Sequence, residues 1–251
     1  MFGGIKDSVA IVTGAGGGIG KAEIKRLARE GAKIFAVDIS EKGLEVMKKE
    51  MESEGYQNIY TYVCDGSNED EVKNAVRKCI DVYGDITILI NNAGIYTHHL
   101  VEEMSTEDWD ETMKCNLYSV FYFCREVIPV MKKNKHGKII NLTSQAGVSG
   151  SITHAHYSAS KGGVISFSRS LALELAKDGI NVNSVAPGII KTKMTENYTQ
   201  EQIDNFTRQI PLGYFGEPDE VGKVVEFLAS DGSNYLTAQV YNVTGGWLRI
   251  S

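Results

Sequence analysis

The stretch VAIVTGAGGGIG, Val9 to Gly20, joins a five-residue apolar run to a cluster of glycines and the opening of an amphipathic segment. Val9–Thr13 reads as a buried strand, because apolar and β-branched residues follow one another without polar alternation. The glycines let backbone approach a ligand, and a helix opening behind them offers free N–H groups and positive potential to a pyrophosphate. Their spacing is Gly14-x3-Gly18-x-Gly20 and not a strict G-x-G-x-x-G, which would need glycine where Ile19 stands. A plain glycine-rich turn would look the same in isolation, since short motifs recur by chance. Position adds the missing weight: the next apolar run, Lys33–Val37, is followed by Asp38, eighteen residues past Gly20. A carboxylate there suits the ribose hydroxyls of an adenosine. It would repel the 2′-phosphate of NADP. Gly17 and Ile39 occupy the places where a compensating cation would be expected, and Lys42 belongs on a solvated helix face, so NAD is the expected cofactor. Capping the following helix is the other use for Asp38, although Ser40 can do that instead.

The same alternation continues outward. Ile59–Val63, Ile86–Ile90, Lys138–Leu142, Asn181–Ala186 and Val240–Val243 read as further strands, about seven in all with Val9–Thr13 and Lys33–Val37. Helical patterns lie between them near 19–30, 41–54, 68–83, 106–131, 157–178 and 218–230. This order gives an α/β fold, a three-layer doubly wound parallel sheet in one domain over 1–251. The one long irregular stretch, 187–218, with a short helix expected at Gln200–Gln209, suits a substrate-binding loop.

Composition narrows the classes. The 251 residues carry 26 Lys and Arg against 32 Asp and Glu, a net charge of −6, which argues against a nucleic-acid surface. With 42% hydrophobic and 23% charged residues the chain is an ordinary globular one, able to bury roughly 70–75% of its unfolded surface without a metal or disulfide staple. The N-terminus lacks the pattern of a signal peptide, and no apolar run approaches a membrane span. The cysteines at 64, 79, 115 and 124 form no C-x-x-C pair and read as reduced core thiols, so the expected location is cytoplasmic.

Tyr157-Ser158-Ala159-Ser160-Lys161 is the second motif. Alone it is weak, because about one Tyr-x3-Lys pair is expected by chance in a chain with twelve tyrosines. It opens a predicted helix, where residues four apart share a face, and Ser144 lies thirteen residues upstream at the end of a predicted strand. A lysine cation beside a tyrosine favours the phenolate, bringing a group with an ordinary pKa of about 10 towards use as an acid or base.

Taken together, TGAGGGIG (13–20), Asp38, Cys64-Asp65, NNAG (91–94), Asn116, Ser144, YSASK (157–161) and PGIIKT (187–192) resemble the short-chain dehydrogenase/reductase family in order and spacing over nearly the whole chain. The resemblance implies a Rossmann fold and NAD-linked interconversion of a secondary alcohol and a ketone. It implies Tyr157 as general acid/base, Lys161 as the group that lowers its pKa and holds the nicotinamide ribose, Ser144 as hydrogen-bond donor to the substrate oxygen, and Asn116 as anchor of a proton-relay water. Cofactor contacts are implied for Gly14, Gly18, Ile19, Gly20, Asp38, Asp65 at the adenine, Asn92, Tyr157 and Lys161. Ile190 and Thr192 would hold the carboxamide, with Pro187 and Gly188 turning the chain; Asn92 has a purely structural alternative.

Family members differ after NNAG, between Ser144 and Tyr157, and in the 187–218 loop. Here those segments hold Tyr96, His98, His99, Gln145, Ser151, His154, His156, Tyr198 and Phe206, a polar and aromatic mixture suiting a hydroxysteroid or a polyol. The histidines read as surface or pocket-rim residues, and no metal is expected. A 3-oxoacyl-acyl-carrier-protein reductase is the competing reading; such enzymes usually prefer NADPH and often carry a basic docking residue where Leu173 stands. A non-catalytic NAD sensor is the other, disfavoured by the intact Ser144, Tyr157 and Lys161 set. Val120–Cys124, apolar right round a helix turn, calls for cover by a second subunit, so a homotetramer is expected, with a dimer as the next reading and the Trp247–Ile250 tail as a further contact. The partner otherwise is a small alcohol or ketone, with no nucleic acid and no membrane.

Overall fold

The computed structural model describes residues 3–248. Seven parallel strands form one sheet in the order β3-β2-β1-β4-β5-β6-β7. They are β1 (Val9–Thr13), β2 (Lys33–Asp38), β3 (Ile59–Val63), β4 (Ile88–Asn91), β5 (Gly137–Leu142), β6 (Ile180–Pro187) and β7 (Val240–Val243). The register runs Ile11 beside Phe35 and Leu89, then Leu89 beside Ile139, so the central strands are apolar on both faces. Alternate residues serve opposite cores. Ala10, Val12, Ile34 and Ile140 join Ile24 and Leu27 of α1 (Gly18–Arg29), Leu44 and Met47 of α2 (Glu41–Ser53) and Val221 and Val225 of α9 (Pro218–Ala229). Val9, Ile11, Phe35 and Ile139 join Val76 of α3 (Glu69–Tyr83), Phe123 and Val127 of α5 (Ser119–Asn134) and Val164 and Leu171 of α7 (Ala155–Leu175). Both faces of the sheet are thereby covered, as a parallel sheet requires.

One expected element divides. The helix over 106–131 is α4 (Thr106–Met113), a π turn at Lys114–Tyr118 and then α5. Asn116 causes the difference: the wide turn carries it inward to complete burial, where its amide bonds the backbone of Ile95. A short α6 (Ala146–Ser149) follows β5, and α8 (Gln200–Gln209) forms within the long loop, opened by a capping box of Thr199 and Gln202.

Val120–Cys124 is less enclosed than its composition implies. Val120, Phe123 and Cys124 are buried, whereas Phe121 and Tyr118 remain exposed, with the Arg125 guanidinium 5.0 Å from the Phe121 ring. Trp247 and Leu248 lie at the end of the described residues, and Arg249 and Ile250 of the expected tail contact fall outside them. Among the described residues no helix is long and apolar enough to cross a membrane, and no group of three or more His, Cys, Asp or Glu side chains could hold a metal ion. Cys64, Cys79 and Cys124 are buried free thiols pushed up to about 12 by that burial, and Cys115 is half-buried.

Glu23 departs from good packing. It is fully buried on α1, neither carboxyl oxygen has a hydrogen-bond partner among the described residues, and burial raises its pKa well above the ordinary value. The native chain holds that proton to higher pH than the unfolded chain, which releases it around the ordinary value of 4.5, so the group destabilises the fold increasingly as pH rises above the unfolded pKa. Glu23→Met is therefore expected to raise stability by about 1–3 kcal/mol at pH 7. In thermal melts the gain should shrink towards pH 5; an equal melting temperature for the two chains at pH 7 would refute it.

Candidate active site

The sheet order reverses direction between β1 and β4, and the crevice above that switch point is where ligands of open α/β sheets sit. A cleft of about 1860 Å³ opens there, walled by the glycine turn, Asp38, Asp65, Asn92, Ser144, Tyr157, Lys161, Pro187, Ile190 and Thr192. The structure thus brings together residues that are nearly 180 positions apart in sequence.

The cradle begins at Gly14, whose φ of +66° is the left-handed conformation open to glycine. A Cβ on Gly20 would run into the Gly14 carbonyl, so that contact fixes how closely α1 approaches the turn. The N-terminus of α1 has neither a side-chain cap nor an acidic residue in its first turn, whereas α2, α3, α4 and α8 each have both. Its positive end is left without a protein counter-charge, which fits a pyrophosphate. Gly18 packs under the Thr192 methyl, and Ile19 turns towards the core.

Asp38 does not cap α2; Ser40 does, accepting from the Gly43 N–H at 3.0 Å. The Asp38 carboxylate instead accepts from the Gly16 N–H at 2.9 Å and the Ser40 N–H at 2.8 Å, which holds it against the glycine turn. No ion pair to Asp38 occurs among the described residues, and the adjacent Ile39 is exposed. Asp65 uses one carboxylate oxygen on the N–H and hydroxyl of Ser67. Asn92 points its amide at the Thr13 and Gly14 carbonyls, at 3.0 and 3.1 Å, so its side-chain donors shape the turn. These donor and cradle positions fit a dinucleotide.

At the other end, Tyr157 and Lys161 lie one turn apart near the start of α7, and Ser144 follows β5. Burial pushes the Tyr157 phenol up, opposed by hydrogen bonding to Ser144. Burial pushes the Lys161 ammonium down to about 8. Its Nζ donates to the Leu142 carbonyl at 3.0 Å and lies 5.9 Å from the Tyr157 ring centre. The expected lowering of the Tyr157 pKa by Lys161 is not seen: burial outweighs the Ser144 hydrogen bond and leaves the phenol above its ordinary value, while the Lys161 ammonium is engaged by the Leu142 carbonyl. Asn116 accepts from the Ile95 N–H at 2.8 Å and donates to the Ile95 carbonyl at 3.0 Å and to Ser160 at 3.2 Å. Its side chain is consequently committed to positioning the segment after β4 that leads to Tyr96.

Other groups become visible only in the fold. Tyr96 stacks on His154 at 4.2 Å between ring centres and meets Tyr157 edge-on at 4.8 Å. His99 and His154 form a parallel bridge that joins the segment after NNAG to the one before Tyr157. Tyr198 and Phe206 pack together, with Trp247 6.0 Å from Phe206, as a wall formed by the long loop. A polar relay runs from Asn91 through Asn141 to Ser168 beneath the site. The paired asparagines of NNAG are its one trace in sequence.

Comparisons with known proteins agree with this geometry. The family model for short chain dehydrogenases matches residues 8–203. A 3-oxoacyl-[acyl-carrier-protein] reductase FabG of Thermotoga maritima is 42% identical over 243 residues, covering 96% of this chain and 98% of that protein. The Escherichia coli protein of the same name is 38% identical over 238 residues, covering 95% and 96%. Among solved structures, levodione reductase matches with a TM-score of 0.93 at 33% identity, over 96% of this chain and 97% of that one. The structure of gox2181 matches with a TM-score of 0.93 at 35% identity, over 96% of each. The chain belongs to the short-chain dehydrogenase family, whose members are oxidoreductases that bind a nicotinamide cofactor.

Proposed function

We propose that this protein is an NAD(H)-linked oxidoreductase that interconverts a ketone and a secondary alcohol, acting as one domain with 187–218 as its substrate-binding loop. The observation that carries the reading is the convergence of Ser144, Tyr157 and Lys161 on one end of a cleft whose other end holds Asp38 against the glycine turn. The nicotinamide supplies or accepts the hydride when bound, with Ile190 and Thr192 at its carboxamide and Lys161 at its ribose. Ser144 donates a hydrogen bond to the substrate oxygen, which stabilises charge developing there. Tyr157, neutral and beside a buried cation, hands its proton to that oxygen during reduction and takes it back during oxidation. Lys161 stabilises the phenolate left behind. Asn116 keeps the Ile95–Tyr96 wall in register beside them.

Full-length similarity to the FabG reductases favours a 3-oxoacyl thioester over the hydroxysteroid expected from composition. A hydroxylated small ketone or polyol is the second reading, favoured by the Tyr96, His98 and His154 wall next to Tyr157. Two features set the protein apart from a typical carrier-linked, NADPH-using reductase: an Asp38 carboxylate that forms no ion pair among the described residues, and an exposed Leu173 on α7. The exposed Tyr118 of the π turn, Phe121 of α5 and Leu173 of α7 offer apolar surface for a subunit contact, in keeping with a homo-oligomer.

Tyr157→Phe is expected to keep NAD binding, followed by fluorescence titration, and to lose at least about a hundredfold in turnover. Turnover retained in that variant would exclude Tyr157 as the acid. Asp38→Ser should narrow the preference for NADH over NADPH by about tenfold or more, read as the ratio of kcat/KM values, because it removes the charge opposed to a 2′-phosphate. A wild-type enzyme faster with NADPH would overturn the role given to Asp38. For ketone reduction, kcat/KM should be level through neutral pH and fall as pH rises through about 8, where Lys161 loses its charge. A profile level to pH 10 would show that the cation is not required.

A further inference from the structure

Four of the five histidines meet beside Tyr157, brought together from two segments far apart in the chain. They form two couples, each with one buried ring and one more accessible ring. His154 is buried, and the exposed His98 ring lies 4.3 Å from it between centres. His156 is fully buried, and the half-buried His99 ring lies 5.6 Å away. The same residues tie the two segments: His99 and His154 are the bridge pair, and the His99 N–H bonds the Thr153 carbonyl at 2.9 Å. Tyr96 lies flat on His154 and edge-on to Tyr157, so the first couple is one ring removed from the proposed acid.

The two buried rings are arranged for the neutral form. His154 Nδ1 lies 2.6 Å from the Ile152 carbonyl, which can only accept, so this nitrogen carries the proton. His156 Nε2 meets Thr97 Oγ1 at 2.7 Å. The other nitrogen of each ring, Nε2 of His154 and Nδ1 of His156, has no partner among the described residues. Charging either ring would therefore leave a buried N–H without an acceptor as well as a charge out of water. The side chains acting on His154 are bases, His98 and His156, and the Tyr96 phenol packed on it is kept neutral by burial. His156 faces His99 and His98, with Asp108 of α4 opposing them. That carboxylate stands 3.8 Å from His99 while it also serves Ser105 in its own helix cap. Burial lowers the pKa of both buried rings, and the neighbouring imidazoles act in the same direction. Thr153, at φ +65°, adds a strained β-branched residue that the closed bridge holds in place.

We propose that these histidines form an acid-sensitive clasp on the substrate half of the cleft, closed at neutral pH and opened by protonation below about pH 6, so that segment 96–99 parts from 153–157 while the cofactor half stays formed. Its effect on substrate rests on the oxidoreductase reading above; the clasp itself does not. The closed form binds fewer protons than the open one. Opening is therefore favoured as pH falls below the ordinary imidazole value of about 6.5, and it gains until the buried rings are charged in the closed form too. Each proton taken up on opening raises the open population by up to about tenfold per pH unit, and two rings together by up to about a hundredfold. Nothing of this kind holds the other half: Asp38 is fixed by the Gly16 and Ser40 N–H groups, and the glycine turn by Asn92.

The test is amide hydrogen exchange on the purified full chain at pH 7.5 and 5.5, followed by mass spectrometry and corrected for the intrinsic effect of pH. Protection of segments 95–101 and 150–158 should fall at least about tenfold at the lower pH, while that of 9–20 and 137–142 changes less than about threefold. The double variant His154→Phe/His156→Gln keeps a ring on Tyr96 and a polar partner for Thr97, and its fall should shrink below about threefold. Equal protection at both pH values in the wild type, or an undiminished fall in the double variant, overturns the proposal. Should that chain fail to fold, His156→Gln alone decides: its fall should be at least about twofold smaller than that of the wild type, and an unchanged fall overturns the proposal. For a ketone that is turned over, KM should rise at least about tenfold from pH 7.5 to 5.5 while NADH affinity, read by fluorescence titration, changes less than about threefold. A clasp that opens in a chain reducing no ketone with NADH or NADPH keeps the proposal and removes the oxidoreductase reading. A clasp that stays closed at pH 5.5 in an active enzyme does the reverse.

Discussion

The site depends on a small clasp between the ends of β1 and β4. Thr13 Oγ1 accepts from the Asn92 and Ala93 N–H groups at 3.0 and 3.1 Å, while the Asn92 amide reaches back to the Thr13 and Gly14 carbonyls. These two strands are neighbours in the sheet but far apart in sequence, and the chain leaves them in different directions. The clasp satisfies the backbone groups that the parting strands would otherwise strand, and holds Gly14 in its left-handed turn. A Cβ at Gly14 would come within 2.7 Å of the Asn92 amide nitrogen, so the turn and the clasp each require the other. The position of α1, its uncapped N-terminus and the Gly16 N–H that holds Asp38 all follow from that turn.

A second tie does for the opposite end what the first does for the cradle. The π turn at Lys114–Tyr118 buries Asn116, and Asn116 grips Ile95 by both its N–H and its carbonyl. Gly94 lies between the two ties, so close that a Cβ there would stand 2.9 Å from Asn116 Oδ1 and 3.3 Å from Lys161 Nζ. The four residues of NNAG therefore fix both halves of the cleft relative to one another. Displacing either tie would move Lys161 and the glycine turn independently.

Much of this was legible before folding, and the reasons are physical. Strands buried on both faces announce themselves as unbroken apolar runs, and six of the seven strands were placed to within a residue at each end; β4 starts two residues later than expected. Residues whose role depends on backbone approach, such as Gly14 and Gly20, show in sequence because only glycine serves. The break at Asn116 was hidden, since a π turn keeps helical composition while shifting the register by one residue. The use of the Asn116 and Asn92 side chains was hidden as well: an amide looks the same whether it faces a ligand or a carbonyl of its own chain. The sequence offered Asp38 two uses, and only the observed Ser40 cap removes one of them.

The two halves of the cleft are built from different materials, and that limits what similarity can carry across the family. The cofactor half is made of strand ends, a helix terminus and backbone N–H groups, all set by the sheet itself. Solved structures match this chain at a TM-score of 0.93, a likeness carried by the sheet and its helices. The substrate half is made of side chains from three segments outside the sheet, joined by the bridge between His99 and His154, by the Gln145 N–H on the Pro187 carbonyl and by ring contacts of Tyr96, Tyr198 and Phe206. Loop side chains can change without disturbing the strands beneath them. Similarity over the full chain therefore establishes the family and its oxidoreductase chemistry, while the loop side chains are where members of one fold come to differ in substrate.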